Sequence, residues 1–234
     1  MLSNVIFSIF NQMTTPVAKL ISIFAIALLI ALPTVAQMPA GPSTPKEIFR
    51  DADGNLLTNN EFVDLRLANS TDPKDPATRT ILDDGTIEFR VINPRQEGTV
   101  APIFDVPDIN AKWLNSADLK GKVIVLNFWF IGCVGCMTEI PKLSAFADKF
   151  KGNDDIVFLA IANNTPQELR QFLARQQFNY RHIGQGSALV KRFDFSGYPK
   201  NVVIGRDGKI IYWRSVIHAW DKFESVVRAE LERG

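Results

Sequence analysis

Cysteine and histidine are scarce in this chain of 234 residues, two of each. A disulfide-stapled scaffold uses more cysteines, spread along its length. A structural zinc site draws on four Cys or His ligands in close sets, and here His182 and His218 stand isolated. Both are read as surface or packing residues, and no metal or other cofactor is expected. An excess of one charge is also missing. There are 26 Lys plus Arg against 25 Asp plus Glu, which gives no basis for a nucleic-acid or strongly anionic partner. No repeat or low-complexity tract is present. What the chain does have is apolar material, 46% of its residues, enough for a sizeable core in one or two domains.

A long membrane-spanning run is lacking as well. Residues 20–32 (LISIFAIALLIAL) carry no charge, but they fall short of the roughly 20 residues that a spanning helix needs. Lys19 precedes them, no acidic residue lies upstream, Pro33 breaks the run and Thr34-Val35-Ala36 ends it on a small residue. That layout is a secretory signal over residues 1–36, cut after Ala36. Met13 offers a second start, since residues 13–36 alone make a more typical signal. The alternative is an uncleaved membrane anchor, because tilt and local thinning tolerate short spans. No Cys lies near the cut, so lipidation is not expected. The mature chain would work in an oxidising compartment such as the periplasm.

Residues 37–46 are rich in Pro, Ser and Gly and read as a linker. Over 47–93, short apolar runs alternate with turn signals, including Asp53-Gly54 and Asp84-Gly85. The polar, Pro-broken stretch 69–78 reads as a loop. Residues 37–98 are therefore expected to be a linker and a small β-rich extension, whose role is not legible.

From residue 99 the pattern becomes regular. Residues 123–130 (VIVLNFWF) suit a buried central strand and 156–162 (IVFLAIA) a second. A helix is expected from Val134 to about Phe150. Another should open at the capping box Thr165-Pro166-Gln167-Glu168 and run to about Gln177. Residues 201–204 and 209–213 flank Asp207-Gly208 as a hairpin, and an amphipathic helix closes the chain from about Trp220 to Leu231. The order implies an α/β domain over 99–234, with a central mixed sheet covered on both faces.

The two cysteines sit at the strand-to-helix turn, as Cys133-Val134-Gly135-Cys136. Cys133 falls at the helix start, where unsatisfied N–H groups and the helix dipole favour a thiolate. Cys136 lies one turn further in. It can resolve a mixed disulfide by attacking Cys133. Inert thiols or a structural disulfide are the alternative reading of this pair. Glu139 follows Cys136 by three and so shares its side of the helix. It is the only carboxylate between Asp118 and Asp148. If buried, it can exchange protons with the resolving thiol; the alternative is a solvated helix-face acid. Trp129 alternates away from Phe128 and Phe130 and is placed at the active-site rim.

Taken together, these residues resemble the thioredoxin-like family, most closely its exported redoxins of the TlpA/ResA type, related to cytochrome c maturation. The resemblance covers about residues 99–234. It is carried by Ala101-Pro102-Ile103-Phe104, Asp108, Leu119-Lys120-Gly121-Lys122, Asn127-Phe128-Trp129 with the CxxC, Glu139-Ile140-Pro141, Gly197-Tyr198-Pro199 and Asp207-Gly208-Lys209. It implies a thioredoxin-like fold and a thiol–disulfide oxidoreductase with Cys133 and Cys136 as its redox-active disulfide. It also implies Glu139 as a working acid, a cis bond at Pro199, and substrate contacts at Trp129, Tyr198 and Pro199. The implied partners are disulfide-containing exported proteins and a membrane electron donor. A thiol oxidant or isomerase, a copper-delivery module and a noncatalytic module of the same fold are the alternatives. A peroxidase would want Thr or Ser and Pro before the cysteine, where Phe130-Ile131-Gly132 stands. Three positions depart from the family pattern. Gly132 replaces the usual Trp, Gly135 the common Pro, and Asn127 a buried Asp, which removes one proton acceptor.

Overall fold

The computed structural model describes residues 44–69 and 77–233. The expected signal, most of the 37–46 linker and most of the 69–78 loop lie outside them. The extension opens with β1 (Glu47–Arg50) and β2 (Leu56–Leu57), antiparallel across the Asp53-Gly54 turn. Helix α1 (Asn59–Ala68) comes next, then β3 (Ala77–Ile81) and β4 (Ile87–Val91), paired across Asp84-Gly85. The sheet order is β2-β1-β4-β3, with β1 parallel to β4. The four-stranded sheet fits the expected small β-rich extension, and helix α1 is an element that the expectation did not include. Its signal was present as Thr58-Asn59-Asn60-Glu61, a capping box in which Thr58 and Glu61 satisfy each other's backbone N–H. Phe62 and Leu65 pack it against Val91, with Phe49 stacked on Phe62 at 4.4 Å.

A short ribbon, β5 (Asp105–Pro107) with β6 (Trp113–Asn115), leads into the main sheet. The central strand β7 (Val123–Trp129) is buried at all seven positions. It is followed by α2 (Val134–Asp148), β8 (Ile156–Ala162), α3 (Pro166–Leu173) and β9 (Arg181–Ile183). Then come α4 (Ser187–Phe193), β10 (Lys200–Ile204), β11 (Ile210–Arg214) and α5 (Trp220–Glu232). The sheet order is β11-β10-β7-β8-β9. Strands β7, β8 and β9 run parallel, while β10 is antiparallel to both its neighbours. This is a thioredoxin-like α/β fold, and the expected elements stand within a few residues of their observed bounds. Helix α3 ends at Leu173, four residues short of the expectation. Among the described residues no helix is long and apolar enough to cross a membrane.

Side chains of β7 alternate between two cores, as the strand period requires. Val123, Val125 and Trp129 join Cys136, Ile140, Leu143 and Phe223 on the face covered by α2 and α5. Ile124, Leu126 and Phe128 join Leu189, Phe193 and Trp213 on the other. Asn127 shares the first face, directly behind the cysteine helix.

Candidate active site

The turn after β7 delivers both cysteines to the first turn of α2. Gly132 has φ of +96°, a left-handed conformation that a tryptophan would adopt only at a cost. Asn164, just after β8, accepts the Ile131 N–H at 2.8 Å and so ties the turn to the sheet. Cys133 is the helix cap, and its Sγ accepts the Cys136 N–H at 3.2 Å. The two sulfurs are joined in a disulfide with an S–S distance of 2.05 Å. Cys133 retains 7% exposure and Cys136 only 1%. Both cysteines are therefore buried in this oxidised state, Cys133 slightly less so than Cys136, which is the direction of the expected asymmetry.

Glu139 is buried, at 3% exposure, one turn behind Cys136. Its Oε1 accepts the Ile217 N–H at 2.6 Å, and Asn201 Nδ2 donates to Oε2 at 3.1 Å. Burial is the largest influence and raises its pKa from the ordinary 4.5 to about 7. The two hydrogen bonds pull the other way. The charge of Asp64 adds to the rise, and His218 opposes it. The solvated-acid alternative is therefore excluded: this is a buried carboxyl that changes charge near neutral pH.

Asn201 is the residue that the sequence reading missed. Its Nδ2 also donates to the Ser215 carbonyl at 2.6 Å, and its Oδ1 accepts from Asn127 Nδ2 at 2.8 Å. Asn127 and Asn201 face each other across β7 and β10. Asn127 does not ionise, but it orients the amide that holds Glu139. No local motif reveals such a pair; only the strand register does.

The rim is built differently from the expectation. Trp129 is fully buried, at 0% exposure, beneath the rings of Phe172, Phe178 and His182. It faces the cysteine side, as its alternation requires, but inside the core, so it is corrected from substrate contact to packing. The exposed aromatic is its neighbour Phe130, set edge-on to Tyr198 at 5.3 Å. The Tyr198 hydroxyl accepts from Asn163 Nδ2 at 2.6 Å. The Tyr198–Pro199 bond is cis. Gly135 explains itself by contact: a Cβ there would lie 3.2 Å from Pro199 Cδ and 3.5 Å from Val216 Cγ2. The absence of a side chain lets the cis-proline loop close over α2.

Both histidines are placed. His182 packs in the core, with Nε2 3.0 Å from the Phe178 carbonyl. His218 is not isolated: its Nδ1 lies 2.7 Å from Asp64 of α1.

A disulfide whose first cysteine caps a helix, its more deeply buried partner three residues on and a buried acid behind them define a thiol–disulfide oxidoreductase of thioredoxin fold. Comparison with known proteins agrees. Residues 98–213 match the model of the AhpC/TSA family. The thiol–disulfide oxidoreductase ResA of Bacillus cereus is 28% identical over 117 residues, covering 50% of this chain and 68% of that protein. ResA of Bacillus subtilis is 27% identical over 116 residues, covering 49% and 65%. The match thus spans about two thirds of the length of these relatives. A thioredoxin of Neisseria meningitidis, known from its solution structure, is 30% identical with a TM-score of 0.51, covering 56% of this chain and 89% of that one. The chain belongs to the thioredoxin-like proteins, and within them it is similar to ResA.

Proposed function

We propose that the protein reduces disulfides of exported proteins through Cys133 and Cys136. The carrying observation is the depth difference of the two sulfurs above a buried Glu139. Cys133, as thiolate, attacks one sulfur of the substrate disulfide. An S–S bond forms between Cys133 and the substrate, and the other substrate sulfur leaves as a thiolate. Cys136 then attacks Cys133, releasing the second substrate thiolate and closing the Cys133–Cys136 disulfide. Two electrons pass to the substrate, and two protons complete its thiols. Glu139 is the group placed to take the proton of Cys136 as that thiol attacks, because its carboxyl titrates near working pH. It also opposes thiolate formation while it is ionised, holding the pair in check. Phe130, Tyr198 and Pro199 form the rim on which an extended partner segment would lie.

The oxidised pair must be reduced again, so an electron donor on the membrane is part of the reading. Residues 1–36 are assigned as an export signal, 37–98 as linker and extension, and 99–234 as the redox domain. The 98–213 match to the AhpC/TSA family falls on the last of these segments, beginning one residue before it.

Insulin reduction driven by dithiothreitol tests the activity, with the equilibrium potential of the pair measured against glutathione. A strongly oxidising potential would overturn the reductant reading in favour of an oxidant or isomerase. Glu139→Gln tests the acid: alkylation rate against pH should show an active-site thiol ionising at lower pH and a flatter profile. Superimposable curves would remove Glu139 from the mechanism.

A further inference from the structure

The loop between β11 and α5 is held from two sides. Ser215 offers its carbonyl to Asn201, and Ile217 gives its N–H to Glu139. The next two N–H groups go elsewhere. Asp64, in α1 of the extension, accepts the His218 N–H at 2.8 Å on Oδ1 and the Ala219 N–H at 2.9 Å on Oδ2. His218 Nδ1 adds a third contact to Oδ1 at 2.7 Å. Asp64 is itself buried, at 2% exposure. Three consecutive backbone N–H groups, 217 to 219, are thus divided between two buried carboxylates, one in the cysteine helix and one in the extension. A buried carboxylate is retained only where donors converge on it. All three donors to Asp64 come from the loop that serves Glu139.

We propose that Asp64 is a positioning residue for the redox site, and that the extension sets the proton affinity of Glu139 by fixing the 215–219 loop. This rests on the reading of Glu139 as the proton-handling group. A loop free to shift at residues 218 and 219 also moves the adjoining Ile217 N–H, which favours ionised Glu139. It moves Val216 too, whose side chain borders Gly135 in the first turn of α2. Removing Asp64 therefore has two opposed effects on Glu139. Loss of a nearby negative charge favours ionisation. Loss of the Ile217 hydrogen bond disfavours it, and this influence is the larger of the two. The other ionisable groups around this network are His218 in the loop, Tyr180 before β9, and Tyr212 and Arg214 on β11. Glu97 pairs with Arg214, and Lys200 reaches Ser215 Oγ at 3.2 Å. Of these, His218 loses its carboxylate partner and moves with the loop when Asp64 is changed, which weakens an influence that favours ionised Glu139 and so adds to the rise; none of the others has a hydrogen bond to Asp64 among those described.

The test follows Glu139 directly. The oxidised full-length protein, with glutamate 13C-labelled at the carboxyl, is titrated by NMR, and the Glu139 signal is assigned with Glu139→Gln. Asp64→Asn keeps the shape of the side chain but replaces one acceptor by a donor facing an N–H. The Glu139 midpoint is expected to rise by about half a pH unit or more. An unmoved midpoint overturns the proposal. A fall overturns it too, because it would mean that Asp64 acts through charge alone. If Asp64→Asn does not fold, Asp64→Ser, which keeps one acceptor, is titrated in the same way. Failure of both variants to fold would make Asp64 a stability residue and overturn the assignment. The underlying reading fails separately: if Asp64→Asn moves the midpoint while Glu139→Gln leaves the thiol profile unchanged, Asp64 positions an acid that the chemistry does not use.

Discussion

The buried carboxyl of Glu139 makes a quantitative claim about stability. It titrates at about 7 in the folded protein against an ordinary 4.5. Folding therefore favours its protonated form, and that contribution is complete below pH 4.5. It is lost as pH rises through 7, because the unfolded chain ionises first and the folded chain must follow at a penalty. A tenfold difference in proton affinity between the two states is worth about 1.4 kcal/mol, so from pH 4 to pH 8 the protein loses about 3 kcal/mol through this one group. Glu139→Gln removes the titration while keeping size and helix propensity. The free energy of unfolding of the variant minus that of the unmodified protein is therefore expected to grow by about 3 kcal/mol over this range. Urea unfolding of both oxidised proteins at pH 4, 6 and 8 measures it. Other carboxylates titrate in both proteins and cancel in the difference. A difference constant to within about 0.5 kcal/mol across the range would refute the reasoning, since a solvated acid has nothing to lose.

Two further outcomes follow from particular contacts and a third from the sequence of residues 1–36. Asn201→Leu leaves Glu139, the Ser215 carbonyl and Asn127 Nδ2 each without a donor or acceptor they now have; urea unfolding is expected to show a loss of about 1–3 kcal/mol, and the Glu139 midpoint should rise. Gly135→Ala would ordinarily stabilise a helix by up to about 1 kcal/mol. Here its methyl group meets Pro199 at 3.2 Å, so the gain in thermal unfolding should be smaller than that, and insulin reduction should slow as the proline loop is pushed outward. Mass spectrometry of the exported protein is expected to find an N-terminus near Gln37. An intact N-terminus in the membrane fraction would favour the anchor.

How much of this could be read from the sequence follows from the range of the interactions. Strands β7 and β8 were visible because a strand buried on both faces must be apolar throughout. Helix α3 was visible because its cap is written within four residues, and the same signal at Thr58 went unused in naming α1. The cysteines and Glu139 were legible because helix spacing alone puts them on one side. Asn201 and Asp64 were not, since each reaches the site from far along the chain, by strand pairing in one case and helix docking in the other. Trp129 shows the limit of periodicity. Alternation gives the face of a strand but not how deep the face lies, and three rings cover this one.

The central claim is that Cys133, at the helix cap, attacks and the more deeply buried Cys136 resolves. The most direct measurement incubates each single Cys→Ser variant, reduced, with a disulfide-bonded protein substrate, and reads adducts by non-reducing gel and mass spectrometry. Cys136→Ser is expected to accumulate a mixed disulfide through Cys133, and Cys133→Ser to form none and to reduce nothing. Adducts on Cys136 in the Cys133→Ser variant, with none in Cys136→Ser, would contradict the account.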